Sequence, residues 1–157
     1  MIVMKFRGSS AASATAVEWM AGIVKSPLED QPVLVVSAMG ETTDRLVEMM
    51  QHAARGSAYS VWCLFEELCR FHFQEVKRLL GAGRDRRVGE RIAPKFRELH
   101  GLLIYLEDGC ILTPDLKDQI LSFGERLSSE IVAAAFERIR NEGFMKSSRL
   151  PYDFLIW

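Results

Sequence analysis

Lys5-Phe6-Arg7-Gly8-Ser9-Ser10 is the first stretch of the chain able to handle a charged ligand. A glycine beside serines, between a strand and a helix, lets backbone N–H groups approach a phosphate, and a helix N-terminus favours the negative charge. Lys5 at the strand end can neutralise phosphoryl oxygens. The pattern is not the P-loop, which needs G-x-x-x-x-G-K-[ST]. Taken alone, it is better explained as an ordinary strand-to-helix turn with a serine cap. Ser37-Ala38-Met39-Gly40-Glu41-Thr42-Thr43-Asp44 is the second stretch. It follows a strand at its carboxyl end, the edge where open parallel sheets bind ligands; helix capping by Thr43 and Asp44 is the plainer account. The third is Ser122-Phe123-Gly124-Glu125-Arg126-Leu127-Ser128-Ser129. A glycine inside a helix costs about 1 kcal/mol relative to alanine, so Gly124 implies a kink or a close approach to something. Glu125 can accept hydrogen bonds from an amine or hydroxyl, or can form a solvated pair with Arg126.

These stretches need elements to position them. Residues 2–6 are a short apolar run that predicts a buried strand. Helical spacing follows, with Ala12, Ala16, Trp19, Met20, Ile23 and Val24 on one stripe. Ser9, Ser10 or Ser13 can cap its start, and Ser26-Pro27 stops it. Residues 33–36, Val-Leu-Val-Val, are β-branched and unbroken, as in a strand covered on both faces. The next helix is capped by Thr42 or Thr43 and ends near Gly56. The order β–α–β–α predicts a parallel pair joined by a crossover helix.

The middle is helical. Residues 57–80 carry Val61, Leu64, Leu68 and Val76 at threes and fours; Gly81-Ala82-Gly83 breaks the run. Residues 86–107 align Ile92, Phe96, Leu99, Leu103 and Leu106, with Pro94 expected to kink the helix or mark its start. Gly109 stops it. Thr113-Pro114 is an N-cap followed by proline at the first helical position. The last long helix runs to about Arg140 through Ile120, Phe123, Leu127 and Phe136, and Asn141-Glu142-Gly143 ends it. The tail, 144–157, is one more strand or a loose end.

The 157 residues suit one domain. With 48% hydrophobic and 26% charged residues, the composition is globular rather than disordered. A formal net charge of −1 gives no general pull toward nucleic acid or anionic membrane, so neither is an expected partner. No apolar run approaches the ~20 residues of a spanning helix, and residues 1–10 lack the pattern of a signal peptide. A cytoplasmic protein is the expectation. Cys63, Cys69 and Cys110 are an odd number without C-x-x-C, and His52, His72 and His100 share no ligand spacing with them; buried or half-buried thiols are expected, with no metal site. The cation-rich stretch 84–97 reads as a solvated helix surface.

Together the three stretches resemble the N-terminal part of bacterial aspartate kinases, in the amino acid kinase superfamily. Those begin with a strand reading K-F-G-G-[ST]-S, and have V-V-S-A-x-G-x-T-[TN]-[DN] after the second strand and S-F-G-E on a later helix. The matching residues here are Lys5 to Ser10, Val35 to Asp44 and Ser122 to Glu125. The likeness runs from Met1 to about Ile139. The resemblance implies an α/β fold: a helix-rich N-terminal half of an amino acid kinase-type parallel-sheet sandwich, truncated. Its partial kinase domain would span 1–143, with a helical insert at 57–110 and a divergent tail at 144–157.

The function so implied is transfer of the γ-phosphate of ATP, with Mg2+, to the side-chain carboxylate of L-aspartate, giving 4-phospho-L-aspartate. Lys5 would be catalytic, stabilising the transferring phosphoryl charge. Lys5, Phe6, Arg7, Gly8 and Ser9 would hold ATP phosphates, and Ser37, Thr43 and Glu125 would hold aspartate. Phosphoryl transfer needs positioning and charge compensation more than covalent chemistry, which suits such groups. Arg7 departs from the family's glycine and is expected to obstruct the loop, the alternative being that its charge pairs with a phosphate. The family's second half, with its glycine-rich G-G-S-D segment, is not found here, so a truncation or a shifted reading frame after about residue 143 is expected. The rival reading is an inactive fragment: a weak anion-binding α/β module, or one that self-associates through its sheet edge or helices. A helical interaction protein would use only residues 57–140.

Overall fold

A computed structural model describes residues 2–24, 33–81, 83–139 and 154–155, without the side chains of residues 8, 9, 154 and 155. The expected stops at Ser26-Pro27 and at 141–143, and the rest of the tail, lie outside these residues. Strand β1 (Val3–Phe6) leads through a 3-10 turn (Gly8–Ala11) into helix α1 (Ala14–Val24). Strand β2 (Val33–Val36) follows, then helices α2 (Thr42–Ala53), α3 (Ala58–Leu80), α4 (Asp85–Glu107) and α5 (Pro114–Ile139), and strand β3 (Phe154–Leu155). The fold is α/β and helix-rich.

The sheet order is β1-β2-β3. Both pairings are parallel, with Lys5 opposite Val35 and Leu34 opposite Phe154. Of the two outcomes for the tail, the strand is the one found at 154–155. Strand alternation sends Met4, Phe6, Leu34 and Val36 into the core, while Val3 and Lys5 stand exposed on the opposite face.

Each long helix buries the stripe its spacing dictates. In α4 this is Val88, Ile92, Phe96, Leu99, Leu103 and Leu106. Helix α5 is buried on almost every side beyond Phe123, and the small residues Gly124, Ser128, Ala133 and Ala134 let its neighbours approach closely. Phe123 and Phe136 are wholly buried, each contributing roughly 1.5–3 kcal/mol relative to exposure. Thr113 caps α5 as expected, its hydroxyl accepting from the Leu116 N–H at 3.2 Å.

Several expectations need correction. Strand β1, expected to be buried, is covered on one face only: Phe6 is buried and Met4 half-buried, whereas Val3 and Lys5 are exposed, because alternate side chains of a strand point to opposite faces. Helix α1 buries Ala14, Val17, Met20, Ala21 and Val24, whereas Trp19 is 74% and Ile23 56% exposed. The helix has apolar residues on two overlapping stripes, and the one with small residues packs inward. Pro94 does not start α4, which runs from Asp85 through it; the proline is exposed, so the carbonyl it leaves unpaired can face water. The α2 N-cap is Glu41 and makes no side-chain cap; neither Thr42 nor Thr43 occupies that position, because the helix starts one residue earlier. The cation-rich stretch is a solvated surface as expected, with Arg84, Arg86, Arg87, Arg91 and Arg97 exposed, and it has a second role. Arg91 and Lys95 both grip Glu130 on α5, at 2.7 and 2.9 Å, and tie the last two long helices together.

Candidate functional site

The three stretches lie on different elements, and specific contacts join them. Pairing of β1 with β2 continues one step past the strands, where the Ser37 N–H donates to the Phe6 carbonyl at 3.1 Å. The first and second stretches therefore leave the carboxyl end of the sheet side by side. The third arrives on α5. A Cβ built on Gly124 would stand 2.7 Å from the Ala38 Cβ and 3.6 Å from Thr42 Cγ2. Gly124 thus answers the close-approach alternative: lacking a side chain, it lets α5 touch the β2–α2 turn.

That approach places Glu125 at the turn. Burial pushes its carboxyl above the usual range, opposed by backbone N–H groups of Glu125 itself and of Ala38. A half-buried carboxylate held by the same turn as Ser37 is suited to meet a cationic or hydrogen-donating ligand group. Arg126 does not pair with it, contrary to the solvated-pair alternative. Arg126 instead forms a two-pronged bridge to Glu98 on α4, at 3.1 and 2.6 Å, with its guanidinium 4.3 Å from the Phe123 ring centre.

The β2–α2 turn is itself braced. Gly40 has φ +54°, a conformation that favours glycine. A Cβ there would meet Phe71 Cζ at 2.9 Å. The Thr42 hydroxyl, buried, donates to the Met39 carbonyl at 2.5 Å. His72 on α3 lies 3.5 Å from that hydroxyl through Nε2, while its Nδ1–H donates to the Leu68 carbonyl at 2.9 Å. Burial pushes the imidazole pKa down to about 4, so it is neutral at physiological pH.

Protein-family models give no match to this chain. Curated relatives do. Aspartokinase 1, chloroplastic, of Arabidopsis thaliana is 35% identical over 142 residues, covering 87% of this chain and 23% of that protein. Aspartokinase 2, chloroplastic, of the same plant is 31% identical over 137 residues, covering 87% and 24%. This chain is similar to aspartokinases. It spans about a quarter of the length of the curated relatives it matches.

The aspartokinase-like chain places its expected site residues unevenly. Lys5 and Arg7 are exposed, and Lys5 lies on the open face of β1. The Phe6 side chain is in the core, leaving only its backbone for a ligand. Gly8 and Ser9 open the 3-10 turn, where the Ser10 N–H donates to the Arg7 carbonyl at 3.0 Å; the Ser9 side chain lies outside the described residues. Ser37 is half-buried at the shared edge, and Glu125 joins it through Ala38. Thr43 is exposed on the first turn of α2. Among the described residues no cluster of three His, Cys, Asp or Glu side chains could hold a metal, and no helix is long and apolar enough to cross a membrane. The residues that sequence reasoning missed are His72 and Glu75 on α3. Their only sequence signal was polarity inside an apolar stripe.

Proposed function

We propose that this chain forms part of an aspartate kinase site that transfers the γ-phosphate of ATP to the side-chain carboxylate of L-aspartate, giving 4-phospho-L-aspartate. The observation that supports it is the convergence of three separate stretches at one edge of a parallel sheet, through the Ser37–Phe6 hydrogen bond and the Gly124–Ala38 contact. The similarity to aspartokinases supports the choice of reaction.

In this reading Lys5, with the backbone of Phe6, Arg7, Gly8 and Ser9, compensates phosphate charge after β1. Ser37, Thr43 and Glu125 hold aspartate, whose ammonium group suits a carboxylate. Mg2+ would arrive on the nucleotide's phosphates, a common mode for an ion that keeps several waters; it would neutralise phosphate charge there. The chain's own task is positioning, since the reaction asks for little covalent chemistry from the protein.

Calorimetric titration with L-aspartate and with MgATP tests the reading. Saturable aspartate binding, lost in Glu125→Gln, and ATP binding, weakened in Lys5→Ala, are expected. Absence of both from the wild-type chain would remove the ligand reading. Acyl phosphate trapped with hydroxylamine reports turnover separately.

The self-associating alternative has its own support in the exposed Trp19 and Ile23 of α1. Light scattering across a concentration series tests it, and a monomer throughout would dismiss it.

A further inference from the structure

Helix α1 starts on a carboxylate that is remote in sequence. Glu75, in α3, is 3% exposed. Its Oε2 accepts a hydrogen bond from the Ala14 N–H, 61 residues earlier, at 2.6 Å. Its Oε1 accepts from Arg78 Nη1 at 2.5 Å. The side chain thus sits where the helix dipole favours an anion. Desolvating a carboxylate is costly, so such a group persists only when well partnered. Local capping of α1 does not depend on it, because Ser13 Oγ already accepts from the Ala16 N–H at 3.3 Å.

The surroundings of Glu75 suggest what else it does. One turn earlier, His72 reaches Thr42 at the start of α2. Beside it, Phe71 fills the space above Gly40, which also lies against the Ala12 carbonyl. One face of α3 therefore carries Phe71, His72 and Glu75 beneath both turns that leave the carboxyl end of the sheet.

We propose that Glu75 is a positioning residue: the resident anion of the α1 N-terminus, which leaves a ligand phosphate to the Gly8–Ala11 turn and holds that turn beside the β2–α2 turn. The inference rests on the proposed phosphate reading of the turn. Glu75 acts through Ala14 and does not touch the ligand.

The test has two arms on the full chain, with Glu75→Ala and Glu75→Gln. Without ligand, amide exchange at Ala14 and thermal unfolding are followed with formate or chloride at equal ionic strength. Ala14 is expected to exchange faster in Glu75→Ala, and formate to slow that exchange and raise the melting temperature of this variant alone. An equal formate response in wild type, or unchanged Ala14 exchange, overturns the resident-anion claim. Glu75→Gln keeps an acceptor oxygen and should stay close to wild type in fold, which preserves the test if the alanine variant does not fold.

In the second arm, sodium tripolyphosphate is titrated calorimetrically. Glu75→Ala is expected to bind about tenfold more weakly, the equivalent of one charged hydrogen bond's contribution, with Glu75→Gln between it and wild type. Equal or tighter binding in both variants overturns the positioning role. If wild type itself does not bind tripolyphosphate, the phosphate reading fails and the positioning role falls with it, while the first arm still decides the resident anion.

Discussion

Gly124 of α5 and Ala38 of the β2–α2 turn are in such close contact that a methyl group on the glycine would stand 2.7 Å from the alanine's own Cβ. The contact binds the third candidate stretch to the second and gives Glu125 its place. It also decides a competition of two effects in Gly124→Ala. Alanine gains about 1 kcal/mol of helix propensity. Overpacking against a neighbour with little room costs about 1–3 kcal/mol. Ala38 carries its Cβ on the backbone of a braced turn and cannot swing away, so the clash wins. Urea unfolding should show a net loss of about 1 kcal/mol, and adding Ala38→Gly should recover part of it. A stabilised Gly124→Ala would mean that α5 slides freely against the turn.

Glu125 should show opposed effects on stability and binding. Its carboxyl is raised by burial, so the native state holds its proton to higher pH than the unfolded chain does. By linkage this contribution to stability is fully present below the unfolded pKa and is lost as pH rises through the folded one. Glu125→Gln removes the penalty of the buried charge. At pH 7 the glutamine variant should be at least as stable as wild type, with the difference shrinking on acidification, while aspartate binding is lost. A variant that is destabilised at pH 7 would show that the Ala38 hydrogen bond outweighs desolvation.

His72 should make the fold acid-sensitive. Its pKa falls from 6.5 to about 4 on folding, chiefly through burial, against the opposing Leu68 hydrogen bond and Glu75 charge. Thr42, Phe71 and Phe96 also face the ring. The unfolded chain therefore binds a proton that the native state refuses. Stability is unaffected well above pH 6.5 and declines as pH drops toward 4, by about 3 kcal/mol over the full span. Denaturant midpoints at pH 7 and pH 5 measure this. In His72→Gln the overall stability should be lower and the slope attributable to the histidine gone; an unchanged slope would assign the acid sensitivity to other groups.

Arg7→Gly should strengthen triphosphate binding. Arg7 is exposed, and its carbonyl accepts the hydrogen bond that closes the 3-10 turn. If a bound phosphate requires left-handed backbone there, arginine costs about 1–2 kcal/mol that glycine does not, which is severalfold or more in affinity. Calorimetry at fixed salt checks this. Weaker binding in the glycine variant would make the guanidinium a phosphate ligand.

Much of this molecule is determined locally and was legible in its residues. The apolar periods of α3, α4 and α5 set their length and inward faces, because burial follows helical spacing regardless of which partner covers it. Thr113-Pro114 fixed the start of α5, since a cap and its helix are neighbours in sequence. The anomaly at Gly124 was visible as a glycine in a helix.

The partners were not legible, because they are remote in the chain and their identity is a matter of packing. Only the tertiary structure shows that Gly124 meets Ala38, that Arg126 turns to Glu98, and that of the two apolar stripes on α1 the one with small residues goes inside. Spacing alone could not find Glu75. A glutamate among apolar residues of a helix reads as a solvated side chain until the fold brings an N–H group 61 residues away to within 2.6 Å of it. Hydrophobic periodicity is a property of one segment and survives in the sequence; a hydrogen bond between two segments exists only once both are folded.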